Sequence, residues 1–204
     1  MDKPVTIKFF RNKLPHWLVA DRAYFVTIRL NNTLPAYVLE DLKREQVGDE
    51  KRKFAKRREQ FIKIEQFLDS SAPEARLLDN PDVAKMLMEN FSWFKTKGWL
   101  IYATVVLSTH IHMLMRSQSG CSGQLIEHLS MFKNYTSRMA NKTLEKKGRF
   151  WSQGDFDHWI RTPEKFESTV RYIVNNPVKA GRVKAWDDWP WVKVHDEVRY
   201  CLEE

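Results

Sequence analysis

Three short stretches of the chain are rich in apolar, β-branched and aromatic residues, and they predict β-strands. The first covers residues 23–30 and is followed by Asn-Asn-Thr-Leu-Pro, a sequence typical of a turn. The second and third cover residues 99–107 and 110–116 and are separated only by Ser108 and Thr109. So short a connection predicts that these two strands lie side by side in an antiparallel sheet.

Apolar residues at helical spacing predict three helical regions between and after the strands. Residues 37–68 are charge-rich and favour a helix, and residues 82–97 form a second helix that Asn80 and Pro81 cap. The third helix covers residues 124–146. Its predicted core stripe consists of Leu125, Leu129, Phe132, Thr136 and Met139.

The order strand, helices, two strands, helix predicts an α+β fold in which an antiparallel sheet carries helices on one face. The remainder of the chain, residues 149–204, changes character and holds five of the eight tryptophans. We expect a single domain over residues 1–204, because this length is sufficient for one well-buried core.

Composition narrows the classes of function. The 204 residues are 43% hydrophobic and 13% aromatic, which predicts a folded protein, and the net charge of +8 favours a polyanionic partner. The two cysteines, Cys121 and Cys201, form no metal-binding or disulfide pattern, so we expect free thiols. No stretch has the length of a membrane span or the character of an apolar leader, so we expect a cytoplasmic protein without membrane contact.

Two histidines carry the clearest chemical signal. His110 and His112 are two residues apart in a predicted strand, so their side chains should project from the same face. Two neutral imidazoles held in this way supply half of a divalent-metal site. The simpler interpretation is a pair of surface or core histidines. Downstream, Tyr135 lies in a predicted helix among basic neighbours, where it is either a tyrosine packed at a core edge or a nucleophile.

Four sequence motifs occur in order along the chain, at residues 24–30 (YFVTIRL), 105–114 (VVLSTHIHML), 132–138 (FKNYTSR) and 150–181 (FW, FDHWIR, YI and NPVKAG). Trp189-Pro190-Trp191 follows them. In this order and spacing the chain resembles the REP-associated tyrosine transposases, a branch of the single-tyrosine HUH transposases. The resemblance covers residues 25–30 and 99–191.

This resemblance implies a ferredoxin-like antiparallel sheet with helices packed on it, the HUH endonuclease fold. Residues 23–30 and 99–116 would supply the core strands, and residues 124–146 the nucleophile helix. Residues 37–97 would then be a helical insertion, and residues 149–204 a C-terminal helical extension.

The implied activity is cleavage and joining of single-stranded DNA at hairpin repeats. His110 and His112 would hold Mg²⁺ or Mn²⁺, and Tyr135 would attack the scissile phosphate to leave a 5′-phosphotyrosine and a free 3′-hydroxyl. The resemblance also implies a nucleoid-associated protein, either a monomer with Tyr135 acting in cis or a weak homodimer. We favour the monomer.

Recognition of DNA is expected from basic and amide side chains. Lys133 and Arg138 flank Tyr135 and could hold phosphates. The C-terminal motif contributes Arg161, Asn175, Asn176 and Lys179. For Asn176-Pro177, turn chemistry at a helix end is an equally good interpretation. The basic run within residues 51–58 is either a solvated helix face or a contact to the DNA backbone, and the tryptophans either fill the core or stack on bases.

Two positions depart from the family pattern. Related enzymes have Gln or Asn one helical turn after the nucleophile to complete the metal site, but here that position is Met139. The third ligand is therefore open between His128, an acidic residue and DNA itself. Thr109 replaces an Asn that often precedes the first histidine. Met139 keeps open the alternative of a domesticated DNA-binding protein that cleaves little or nothing. A metal-dependent RNA-processing enzyme is a further alternative, because basic residues do not distinguish RNA from DNA.

Overall fold

A five-stranded antiparallel sheet forms the centre of the computed structural model, which describes residues 4–11, 15–35, 37–38, 50–118 and 120–203. The strands are β1 (Thr6–Arg11), β2 (Pro15–Val19), β3 (Ala23–Arg29), β4 (Trp99–Val106), β5 (His110–Ser117), β6 (Phe156–Trp159) and β7 (Val192–Val194). The order in the main sheet is β6-β3-β5-β4-β7, while β1 and β2 form a separate hairpin. The antiparallel sheet of the predicted α+β fold is thus confirmed.

Five α-helices surround the sheet in the described parts of the chain. They are α1 (Glu50–Asp69), α2 (Pro81–Asn90), α3 (Ser92–Thr96), α4 (Leu125–Thr143) and α5 (Pro163–Lys179). Asn80 caps α2 as predicted, because its side-chain oxygen accepts hydrogen bonds from the backbone of Asp82 at 3.0 Å and of Val83 at 3.2 Å. The single helix predicted for residues 82–97 is interrupted at Phe91, whose ring packs on Phe132.

The two faces of the sheet are covered by different helices, which differs from the expectation of helices on one face. Ile111 and Met113 of β5 pack with Leu129 and Phe132 of α4, and we call this side of the sheet the α4 face. Alternate residues of a strand point to opposite sides. Leu114 accordingly packs with Ile173 and Val174 of α5 on the other side, which we call the α5 face.

Helix α1 also lies on the α5 face. Its Phe61 meets Phe25 of β3 with ring centroids 5.6 Å apart, and Ile64 and Leu68 join a small cluster of buried residues that includes Leu34. The charged region predicted as a helix therefore covers part of the sheet. Residues 39–49 of that region lie outside the described residues.

The C-terminal part supplies helix α5 and also two edge strands that the sequence patterns did not reveal. β6 pairs with β3, and β7 pairs with β4. Thr162 caps α5 by accepting a hydrogen bond from the backbone of Lys165 at 3.2 Å. Cys121 and Cys201 are free, as predicted. In the described residues, no helix combines the length and the apolar character that crossing a membrane requires.

Candidate metal centre and active site

His110 and His112 project from the same side of β5, onto the α5 face of the sheet. Their Nε2 atoms lie 3.1 Å apart. Both side chains are buried, with exposed fractions of 1% and 0%. The structure therefore brings these two predicted ligands together.

Helix α1 supplies a carboxylate to this pair. Oε2 of Glu65 lies 2.9 Å from Nε2 of His112 and 3.8 Å from Nε2 of His110, and Glu65 is buried as well. The three candidate ligand atoms all lie within 4.8 Å of one another. Of the third ligands left open by the sequence, an acidic residue is thus the one that the structure places beside the histidines.

Two threonines fix the orientation of the imidazole rings. Oγ1 of Thr109 donates to the backbone carbonyl of Leu68 at 3.0 Å and lies 3.0 Å from Nδ1 of His110, so it accepts the Nδ1 proton. Oγ1 of Thr27 lies 2.9 Å from Nδ1 of His112. A proton on Nδ1 of His110 leaves the Nε2 lone pair of that ring directed at the cluster, as a metal-binding histidine requires. Thr109, a departure from the family pattern, thus has a structural role.

The protonation states of the cluster suit metal binding. Burial, aided by the neighbouring His112, lowers the pKa of His110 to about 3, so this imidazole is neutral near pH 7. Burial alone would raise the pKa of Glu65, but the charge and hydrogen bond of His112 outweigh it and lower that pKa to about 2. A neutral imidazole and an ionised carboxylate are the ligand forms of these residues.

The chemistry of the cluster fits a divalent cation. Two imidazole nitrogens and a carboxylate oxygen converge, and the second oxygen of Glu65, Oε1, is buried without a hydrogen-bond partner. Such a buried polar atom is costly unless a ligand satisfies it. This set of residues can therefore hold a metal ion, with two nitrogen ligands and one or two oxygen ligands.

A tyrosine of α5 completes the cluster. The hydroxyl of Tyr172 donates a short hydrogen bond to Oε2 of Glu65, and the Tyr172 ring lies 5.6 Å from the His112 ring. Burial, and then the charge of Glu65, raise the pKa of Tyr172. Of the tyrosines that the structure describes, Tyr172 is thus the one whose hydroxyl touches the candidate metal ligands.

Asn176 lies one helical turn after Tyr172, on the same side of α5. It is 1% exposed, and neither its amide oxygen nor its amide nitrogen has a hydrogen-bond partner. The amide nevertheless counteracts the rise in the pKa of Tyr172, which places it near the tyrosine hydroxyl. Asn176, predicted either to bind DNA or to form a turn at a helix end, thus lies inside α5 with its side chain buried beside the metal cluster.

Tyr135 lies on the opposite side of the sheet from the metal cluster. Its helix, α4, packs on the α4 face of the sheet, whereas His110 and His112 project from the α5 face. The Tyr135 side chain is 46% exposed. The structure does not bring Tyr135 to the two histidines within one chain, because the sheet lies between them.

Two further residues of α4 differ from expectation. Met139 was predicted in the core stripe, but it is 37% exposed, and Ala140 occupies the buried position instead. His128, a candidate third ligand, is buried on the α4 face, where its Nδ1 accepts a hydrogen bond from Nε1 of Trp99 at 2.9 Å. His128 is therefore not part of the metal cluster.

The basic residues predicted to bind DNA differ in whether their charged groups are exposed or already paired within the protein. Lys133 is engaged inside the protein, because its ammonium lies 2.6 Å from Oδ1 of Asp155 and donates to the carbonyl of Ser152 at 2.8 Å. Arg138 is exposed on α4. Arg161 is exposed with its guanidinium 5.1 Å from the centre of the Trp159 ring.

Asn175 and Lys179 are exposed on α5. The Asn175 amide donates to the carbonyl of Arg171 at 3.0 Å. The basic run within residues 51–58 forms part of helix α1. The structure describes the backbone of these residues but not their side chains.

Two cations border the metal cluster. The ammonium of Lys179 lies 5.8 Å from the centre of the Tyr172 ring, and its charge contributes to the lowered pKa of His110. Arg182, which the sequence patterns did not single out, donates a hydrogen bond to Ser108 and contacts Asp79 at 3.3 Å.

Comparisons with known proteins support the resemblance. No family model matches the chain. A protein of Haemophilus influenzae provisionally named a REP-associated tyrosine transposase is 29% identical over 105 residues, which are 48% of this chain and 60% of that protein. The REP-associated tyrosine transposase of Escherichia coli is 33% identical over 98 residues, which are 48% of this chain and 56% of that protein. The matches thus span less than two thirds of either relative.

A solved structure shows the same fold. It is that of a REP-associated tyrosine transposase bound to a REP hairpin, with a TM-score of 0.55, 19% identity, and coverage of 95% of this chain and 86% of that one. The α+β sheet with its helices is therefore the fold of that transposase. The resemblance that the four motifs indicated is confirmed.

Proposed function

We propose that this protein cuts and rejoins one strand of hairpin DNA through a covalent phosphotyrosine, and that Tyr172 is the nucleophile. The observation that carries this proposal is the hydrogen bond from the Tyr172 hydroxyl to Glu65, a candidate metal ligand. The resemblance to transposases supplies the reaction class, and the geometry favours Tyr172 over Tyr135.

The spacing of residues on α5 supports this assignment. The transposases that this chain resembles place Gln or Asn one helical turn after the nucleophile. Counted from Tyr172, that position is Asn176, whereas counted from Tyr135 it is Met139. The buried Asn176 amide, which lacks partners, is available as an oxygen ligand or as a donor to the reacting tyrosine.

The chain's own residues account for the proposed chemical step. The Tyr172 oxygen forms a bond to the scissile phosphorus while the bond from phosphorus to the 3′-oxygen breaks. The hydroxyl proton leaves along the existing hydrogen bond to Glu65, and the departing 3′-oxygen takes up a proton to become a hydroxyl. Attack by another 3′-hydroxyl on the phosphotyrosine reverses the step and joins the strands.

A divalent cation held by His110, His112 and Glu65 would polarise the scissile phosphate and lower the pKa of Tyr172. Of Mg²⁺ and Mn²⁺, we propose Mn²⁺ as the better fit, because two of the three ligands are imidazole nitrogens and Mg²⁺ prefers oxygen. We expect Lys179, beside Tyr172, and Arg182, beside Ser108, to contact the phosphates that flank the cleavage site.

One observation favours a second function, binding of hairpin DNA without cleavage. His110, His112 and Glu65 are all nearly fully buried beneath α1. A phosphate reaches them only if the helices that cover them, α1 and α5, move apart, so a protein that stays closed would bind DNA and leave it intact.

The test is a denaturing-gel assay with labelled single-stranded hairpins. We expect a slow, Mn²⁺-dependent band of protein joined to DNA, which chelator abolishes. The band disappears in Tyr172→Phe and persists in Tyr135→Phe, which serves as the matched control. Hairpins that bind but never yield the band would support the binding-only function.

A mixing experiment separates action within one chain from action between two chains. Tyr172→Phe retains the metal ligands, and His112→Ala retains the tyrosine. If Tyr172 acts within its own chain, a mixture of the two variants forms no adduct. An adduct from the mixture would show that one copy supplies the tyrosine and another the metal site.

A further inference from the structure

A row of three aromatic rings crosses from the β1–β2 hairpin to the edge of the main sheet. Phe9 of β1 lies directly opposite Trp17 of β2, and their ring centroids are 6.4 Å apart at an interplanar angle of 90°. The Trp17 ring in turn meets the ring of Trp159, in the edge strand β6, at 5.8 Å and 81°. We call Phe9, Trp17 and Trp159 the aromatic row. It shares no residue with the proposed active site.

The outer side of the hairpin carries Phe9 and Trp17. The neighbours of Trp17 in β2, His16 and Leu18, point into the protein, because His16 pairs with Asp157 and because His16 and Leu18 are both buried. Alternate residues of a strand point to opposite sides, so Trp17 and its cross-strand partner Phe9 point outward. Phe9 is 62% exposed, and Trp17 is partly exposed. The inward side chains thus anchor the hairpin, and the exposed surface of Phe9 is not needed for that anchoring.

Contacts at the ring edges hold the planes of the row. In an edge-to-face pair the edge of one ring meets the face of the other, so the two rings do not cover each other's faces as stacked rings do. Nε1 of Trp17 also donates a hydrogen bond to Oγ1 of Thr6 at 3.0 Å, which holds the indole in place. Rings that are already held in position lose little conformational entropy when a flat ligand stacks on them.

A cation lies at the end of the aromatic row. The guanidinium of Arg161 is 5.1 Å from the centre of the Trp159 ring, and Arg161 is exposed. Proteins that bind single-stranded nucleic acid combine aromatic rings with arginine, because each base offers a π-face and each nucleotide carries a phosphate. The net charge of +8 favours the same kind of ligand. The row and its arginine therefore suit an anionic chain that carries flat groups.

We propose that the aromatic row binds unpaired bases of the strand that flanks the DNA hairpin. The inference rests on the proposed function, which brings one DNA strand to the metal cluster. Bases inside a duplex are stacked on each other, so only unpaired bases offer a face to the rings.

The position of the row in the sheet allows one strand to reach both sites. Trp159 lies opposite Tyr24 of β3, and Tyr24 is three residues from Thr27, the cross-strand partner of His112. At about 3.3 Å per residue and about 4.8 Å between strands, Trp159 and His112 are roughly 14 Å apart in the sheet. The histidines face the other side of the sheet, but β6 is an edge strand, so a flexible DNA strand can pass around it.

Binding of a hairpin that carries single-stranded flanks tests this inference. Affinity is measured in the Tyr172→Phe background with chelator, so that no cleavage intervenes. We expect Phe9→Leu to weaken binding by about 5- to 100-fold, because it keeps an apolar side chain but removes the ring. Phe9→Trp should bind like its parent. Val5→Ala, at an exposed apolar position just before β1, is the matched control and should leave the affinity unchanged.

Abasic nucleotides, placed one at a time in the flank, identify the base that makes the contact. At the nucleotide that stacks on Phe9, removal of the base should weaken binding to the protein that retains Phe9. The same removal should not weaken binding to Phe9→Leu any further. Such non-additive losses are expected when the base and the ring form one interaction.

Three results would contradict the inference. Equal affinity of Phe9→Leu and its parent, with adduct formation intact in the protein without substitutions, would overturn this inference alone and would favour contact of the row with another protein. Losses that simply add at every abasic position would exclude stacking on Phe9. Absence of both hairpin binding and adduct in the protein without substitutions would contradict the proposed function, and this inference with it.

Discussion

The hydroxyl of Tyr172 and the carboxylate of Glu65 are hydrogen-bonded although 107 residues separate them along the chain. Tyr172 belongs to α5 and Glu65 to α1, and both helices cover the face of the sheet from which His110 and His112 project. A tyrosine hydroxyl and a candidate metal site thus meet at one point.

Glu65 should be a metal ligand. We expect Glu65→Gln to weaken Mn²⁺ binding by at least about tenfold, because a neutral amide replaces the ionised carboxylate between the two histidines. Isothermal titration calorimetry measures this affinity. Glu59→Gln alters an exposed carboxylate on the same helix and should bind Mn²⁺ like the parent protein. Equal affinities for Glu65→Gln and the parent would remove Glu65 from the site.

Thr109 should act on the metal through His110. Thr109→Val keeps the shape of the side chain but removes the oxygen that accepts the Nδ1 proton of His110. We expect Mn²⁺ affinity to fall by about 10- to 100-fold, and the ¹⁵N spectrum of His110 to lose its single tautomer. Thr143→Val, at an exposed position on α4, is the control. A spectrum that keeps one tautomer would show that Thr109 does not set the orientation of the ring.

The Asn176 amide should destabilise the folded protein and support formation of the DNA adduct. A buried amide without hydrogen-bond partners destabilises a fold by about 1–3 kcal/mol. We therefore expect Asn176→Leu to unfold at equal or higher urea concentration than the parent while its adduct formation falls at least about 100-fold. Ser168→Leu, at an exposed position on the same helix that belongs to no predicted site, should alter neither property strongly. Loss of stability in Asn176→Leu would show that the amide has a structural partner.

Asp155 should make stability depend on pH. Burial raises its pKa above the ordinary value of about 3.9, although Lys133 lies close and opposes the shift. A carboxyl group with a raised pKa in the folded state stabilises the fold below the unfolded pKa, and this contribution is lost as pH rises through the folded pKa. The free energy of unfolding of the parent minus that of Asp155→Asn should therefore decrease from pH 4 toward neutral pH. A difference that increased over this range would contradict the assignment.

The sequence predicted the parts of the site that depend on local geometry. His110 and His112 share a face because residues two apart in any strand do so, and no knowledge of the tertiary fold is needed. The positions of the core strands and of α4 followed from apolar spacing for the same reason. The strands β6 and β7 were not predicted because, at four and three residues, they are too short for a pattern of alternation to be recognised.

The remaining parts of the site depend on how distant elements pack. Glu65 lies in a charge-rich stretch with many other carboxylates, and only the packing of α1 on the sheet distinguishes it. Tyr135 and Tyr172 both lie in helices with basic neighbours, and the choice between them depends on which face of the sheet each helix covers. The spacing of Tyr172 and Asn176, which are one helical turn apart, was a local signal that could have favoured α5, because Asn176 is the first residue of the Asn-Pro-Val-Lys-Ala-Gly motif.

The most direct test of the account is to identify the amino acid that carries the DNA. The protein is reacted with a hairpin in Mn²⁺, the attached DNA is trimmed with nuclease, and the peptides are sequenced by tandem mass spectrometry. We predict a nucleotide mass on the α5 peptide at Tyr172 and unmodified α4 peptides. A nucleotide mass at Tyr135 would contradict the account and would require that two copies of the chain, or a different arrangement of α4, build the active site.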